Sequence, residues 1–149
     1  MGSRRKAREK ALKILFQIDF NEVDVRAVLD EFWKEHPSGE KVREFTETLV
    51  KGAVANRERI DMMISSTLKN WSLERLNAVD RAILRCAVFE LMYMPDIPPK
   101  VTINEAVEIA KAYGTDESGS FINGVLDNIR ERVGKSTEAG FSKRADGRN

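Results

Sequence analysis

The chain has 149 residues, 42% of them hydrophobic and 33% charged, a globular composition that can bury a core without disulfides or a structural metal. Its single cysteine, Cys86, excludes an internal disulfide, and no apolar run approaches the ~20 residues of a membrane span. The basic start lacks the apolar stretch and cleavage site of a signal peptide, so a soluble cytoplasmic protein is expected.

A net charge of +1 conceals a local asymmetry. Arg4, Arg5, Lys6, Arg8, Lys10 and Lys13 are opposed only by Glu9. They share a first helix whose inward face is Ala7, Ala11, Ile14, Leu15 and Ile18. Cations in a first helical turn oppose the helix dipole, which disfavours the helix unless an anion compensates. Either RNA phosphate or a solvated surface accounts for the cluster.

Asp24 is expected to cap a second helix with Val25, Val28, Leu29, Phe32 and Trp33 inward, closed at His36-Pro37-Ser38-Gly39. A third helix buries Val42, Phe45, Leu49, Val50, Ala53 and Val54. A fourth, separating from it near Asn56, buries Ile60, Met63, Ile64, Thr67 and Leu68. Ser72 is expected to cap the fifth, stapled by Trp71 and Leu76. From Val79 to Met94 that helix is apolar on nearly every side, the mark of a central element. Pro95, Pro98 and Pro99 end it, and Thr102 with Glu105 reads as the capping box of a sixth helix stopping at Gly114. The last helix carries Ile122, Val125, Leu126, Ile129 and Val133 and is expected to end at Gly134. The fold class is all-α, with about seven helices in a single domain over 1–134 and a disordered tail over 135–149.

Catalytic chemistry finds no support. His36 stands alone in a turn, Cys86 lies in the most apolar helix, and neither a phosphate-binding glycine loop nor a nucleophile elbow occurs. No catalytic residue, metal ligand or cofactor is expected. Two further features invite a ligand. Glu74, Asn77, Arg81 and Arg85 share one narrow helical face, where arginine can grip phosphate or simply pair with acids of a neighbouring helix. Ser118-Gly119-Ser120-Phe121-Ile122-Asn123-Gly124 opens the last helix, where amides and hydroxyls suit phosphate. Phe121 there is either a rim residue of the core or a platform for a base.

At these residues the sequence resembles the NusB-type transcription antitermination factors. The resemblance is carried by Val79-Asp80-Arg81-Ala82-Ile83-Leu84-Arg85, by Asp96-Ile97-Pro98 with Lys100-Val101-Thr102-Ile103-Asn104-Glu105-Ala106, and by Ala110-Lys111-Ala112-Tyr113-Gly114 leading to Phe121-Ile122-Asn123-Gly124-Val125-Leu126-Asp127. It implies two three-helix bundles around a central helix. It also implies binding of the single-stranded boxA element of nascent ribosomal RNA, alongside NusE, a small-subunit ribosomal protein, in an RNA polymerase antitermination complex. By position, Arg4, Arg5, Lys6 and Arg8 match the RNA-binding start, while Arg81, Arg85, Ser118, Phe121 and Asn123 fall on the RNA path. Phe16, Glu74 and Asp80 fall where the partner docks, the two acids being expected on an exposed edge. Ser120 stands where some relatives carry a base, which removes one phosphate contact. Some family members are homodimers, and the fold also occurs joined to RNA methyltransferases, although this sequence shows no cofactor-binding domain. The alternatives are therefore a protein scaffold or homodimer without RNA affinity, or an RNA-binding domain serving a separate methyltransferase.

Overall fold

The computed structural model describes residues 2–19, 23–69 and 71–147, with side chains described as far as Gly134. These residues form seven α-helices and one 3₁₀ turn: α1 (Ser3–Ile18), α2 (Val25–Glu35), α3 (Glu40–Ala55), α4 (Arg57–Ser65), the turn Leu73–Arg75, α5 (Ala78–Tyr93), α6 (Pro99–Tyr113) and α7 (Ser118–Gly147). The expected all-α class stands.

α5 is the centre. It packs against α1, α3, α4, α6 and α7. Every residue from Ala82 to Glu90 is buried, which explains why its sequence lacks a clear amphipathic stripe. The first bundle joins α1, α2 and α3, with α1 lying along α3; the second joins α4, α6 and α7, with α6 lying along α7. One continuous core runs through both, from Ala7, Leu29 and Leu49 to Leu84, Ile103, Ile122 and Ile129.

α3 approaches α5 closely because Gly52 has no side chain. A Cβ there would stand 2.1 Å from the Phe89 ring. At the other end, Asp24 caps α2 as expected, accepting from the amides of Arg26 and Ala27.

Five expectations need correcting. Ser72 precedes only the 3₁₀ turn, and the cap of α5 is Asn77, whose side chain accepts from the Asp80 amide at 2.8 Å. Glu74 therefore lies on the turn, outside α5. Thr102 is not a cap either: α6 begins at Pro99, a position suited to proline because its missing N–H has no helical partner there. Thr67 and Leu68 lie beyond the end of α4 at Ser65. Finally, α7 passes through Gly134, since one glycine weakens a helix by about 1 kcal/mol but does not end it. The expected tail of 135–149 falls on residues whose side chains are not described.

Candidate nucleic-acid interface

α1 begins at Ser3 with no acid in its first turn, so its leading cations do sit against the positive end of the helix dipole. Two of them find carboxylates within the chain. Arg5 makes a two-pronged pair with Glu105 of α6, and its hydrogen bonding, aided by its charge, holds the Glu105 carboxyl below its ordinary range. Arg8 is buried and donates to both oxygens of Glu90 at 2.9 and 2.8 Å, while Thr102 adds a hydroxyl bond to the same carboxylate at 2.9 Å. Arg4 is exposed, with its guanidinium 4.7 Å from the Phe45 ring centroid. Lys6 is exposed and forms no ion pair among the described residues.

The stripe on α5 is neutralised more completely. Asp19, just past the end of α1, accepts from Arg81 at 2.6 Å and also from Arg85. Arg85 donates besides to both oxygens of Asp61 on α4, at 2.9 and 3.1 Å, and Arg57 approaches Asp19 and Asp61 at 3.7 and 3.5 Å. Burial pushes the Asp19 carboxyl up, but the hydrogen bonds from Arg81 and Arg85 outweigh it and leave its pKa lowered. Arg81 also caps the carbonyls of Leu76 and Glu74, at 2.6 and 3.2 Å, tying the 3₁₀ turn to α5.

The opening of α7 forms an open groove of about 300 Å³ with the segment before α5. Trp71, Arg75, Leu76, Asn77 and Asp80 line one side, and Thr115, Glu117, Ser118 and Phe121 the other. Trp71 is 59% exposed, with the Arg75 guanidinium 5.6 Å from its ring centroid. Phe121 is half-buried against the core, Asn123 is exposed, and Ser118 is buried with its hydroxyl accepting from the Thr115 amide at 2.9 Å. So Ser118 closes its own loop rather than presenting a free hydroxyl.

Of the residues expected at the partner surface, Phe16 is 40% exposed and Glu74 is exposed. Asp80 departs from its expected exposed edge. It is buried, and Asn77 Nδ2 donates to its Oδ2 at 3.2 Å, a reciprocal arrangement that anchors the start of α5. The expected RNA residues Ser118 and Phe121 thus share a groove with Asp80, which was assigned to the partner.

Sequence reasoning missed Asp19, Asp61, Glu90 and Glu105 as the carboxylates that hold the arginines. Glu90 did carry a signal, being a lone acid deep in the most apolar helix, where charge needs a partner. Trp71 gave none beyond the staple reading, and Arg75 gave none at all. Among the described residues no cluster of His, Cys, Asp and Glu is placed to hold a metal ion, and no helix is long and apolar enough to cross a membrane.

The NusB family model matches residues 5–131. A transcription antitermination protein NusB from Bacillus cereus is 51% identical over 135 residues, which is 87% of this chain and 98% of that relative. Among solved structures, Thermotoga maritima NusB superposes with a TM-score of 0.80 at 44% identity, covering 86% of this chain and 90% of that one. The NusB chain of a crystal structure of antitermination factors NusB and NusE in complex with dsRNA gives a TM-score of 0.80 at 29% identity, covering 89% and 98%. With the helical order, central α5 and basic α1 now in place, the chain belongs to the NusB family.

Proposed function

We propose that the chain is a transcription antitermination factor that binds boxA-type single-stranded RNA together with a NusE-type ribosomal protein, within an RNA polymerase antitermination complex. The observation that carries the reading is the relative of matching fold solved with NusE and dsRNA. Supporting it here are an exposed basic start and an aromatic groove at the head of α7.

The residues divide into two layers by exposure. Arg4 and Lys6 supply phosphate contacts beside Arg5, which Glu105 holds, and Phe121 in the groove and the exposed Asn123 meet bases. Arg8, Arg81, Arg85 and Ser118 hold the framework beneath that path through their internal bonds. Phe16 and Glu74 face the partner, while Asp80 acts from below by fixing the start of α5. The protein works in the cytoplasm as a non-enzymatic adaptor without a cofactor. One observation favours the scaffold alternative: Arg5, Arg8, Arg81 and Arg85 are all neutralised by carboxylates of the chain itself.

Titration of a fluorescent boxA-type oligonucleotide, with and without a NusE-type protein, tests the reading. Binding that tightens when the partner is added supports it, with a duplex RNA and a scrambled single strand as controls. Partner binding with no RNA affinity in either condition replaces it with the scaffold.

A further inference from the structure

The six cations of the basic start separate into two sets once α1 is folded. Arg4, Arg5 and Arg8 turn toward Phe45, Glu105 and Glu90. Lys6, Lys10 and Lys13 follow i, i+4 and i+7, so they share one face of α1. That face lies opposite the buried residues Arg8 and Leu15. Over the seven residues from Lys6 to Lys13 the helix rises about 10 Å, at 1.5 Å per residue.

Neither Lys10 nor Lys13 has a carboxylate partner among the described residues. Each instead lies against a ring: the Lys10 ammonium is 6.0 Å from the Phe32 centroid, and the Lys13 ammonium is 5.9 Å from that of Tyr113. A ring restricts where an ammonium sits without neutralising it, unlike the acids that hold Arg5 and Arg8. The charge left for an external anion on α1 is therefore mostly lysine charge. Glu9 is the single acid in this stretch of α1, and Glu108 across the seam is engaged by Lys111 at 3.3 Å.

We propose that Lys6, Lys10 and Lys13 form a phosphate track along the outer face of α1, with Lys10 and Lys13 as RNA contacts in addition to the arginine-rich start. The inference rests on the RNA-binding reading above and names the residues that supply its electrostatic part. A single strand suits the track better than a protein partner does. A row of compact ammonium charges about one helical turn apart matches a line of phosphates.

The test is a salt series of binding titrations with a single-stranded boxA-type oligonucleotide. Wild type is compared with Lys10→Gln/Lys13→Gln and with Lys34→Gln/Lys51→Gln, which removes the same charge from α2 and α3. At about −0.7 in the log–log slope per phosphate contact, the track variant should lose about 1.4 from the slope, and the control variant should match wild type. Thermal melts of wild type and the track variant should agree, since no ion pair of Lys10 or Lys13 is broken. Wild-type binding with an unchanged slope in the track variant overturns the track alone. Weakened NusE-type partner binding with RNA affinity intact also overturns it and assigns the stripe to protein. Wild type that binds no RNA overturns the underlying reading.

Discussion

Arg8 of α1 and Glu90 of α5 form a two-pronged ion pair with only 5% and 1% of their side chains exposed. The pair pins α1 to the central helix, and it changes what mutation of Arg8 would report. Removing one partner strands a buried charge, at a cost of about 3–5 kcal/mol. Arg8→Ala should therefore lower stability in urea by that amount, with RNA affinity falling only as the folded fraction falls. Arg8→Met/Glu90→Met should recover most of the loss, because both charges leave together. A single mutant as stable as wild type, with weakened RNA binding, would return Arg8 to the phosphate path.

Gly52 gives a prediction whose sign is opposite to helix propensity. In an exposed helix, glycine to alanine stabilises by about 1 kcal/mol. Here the new methyl meets the Phe89 ring, so Gly52→Ala should destabilise by about 1–3 kcal/mol through overpacking between α3 and α5. Gly52→Ala/Phe89→Leu should regain part of this in thermal melts. Stabilisation by the single change would mean the helices can move apart freely.

How far the sequence could be read depended on whether a signal was local. Helix faces, the Asp24 cap and the central place of α5 were legible because apolar spacing and a greasy run report burial directly. Helix starts were less legible. Thr102 and Glu105 match a capping box, yet tertiary partners claim both, Glu90 taking the hydroxyl and Arg5 the carboxylate. The arginines of the candidate site show the same limit more sharply. Arg81 and Arg85 are 62 and 66 residues away from Asp19, and no spacing rule pairs them. A basic cluster in sequence measures total charge. Only folding decides which charges remain available.

Acid should loosen the first bundle before neutral pH stresses it. Glu47 of α3 accepts from both prongs of Arg26 and from the Trp33 indole N–H, and the Arg26 bonds lead in holding its carboxyl down at about 2, from an ordinary 4.5. A folded value below the unfolded one means the stabilisation is complete above about pH 4.5 and is lost as the pH falls toward 2. Asp19 and Glu105 are lowered as well and act in the same direction. Glu47→Gln should make stability in urea fall less steeply across that interval than in wild type, while leaving the limb above pH 5 flat. Identical acid limbs for the two proteins would remove Glu47 from the account.

Phe121 is where stability and binding can be separated. The ring is half-buried on the core, and its other side lines the groove opposite Trp71. A fully buried phenylalanine costs about 3–5 kcal/mol when cut to alanine, so a half-buried one should cost roughly half as much. If the exposed face stacks a base, the same change should weaken RNA binding by a further 1–3 kcal/mol or so, measured on fully folded protein. The salt slope should not move, since stacking releases no counterions, whereas loss of a phosphate contact would flatten it. Phe121→Tyr keeps the ring face and should retain most of both quantities. Trp71→Ala provides the matching probe from the opposite wall: 59% of Trp71 is exposed, so its loss should leave the melt nearly unchanged. Binding that survives both alanine changes in the folded state would leave Phe121 as a core residue and move the base site out of this groove.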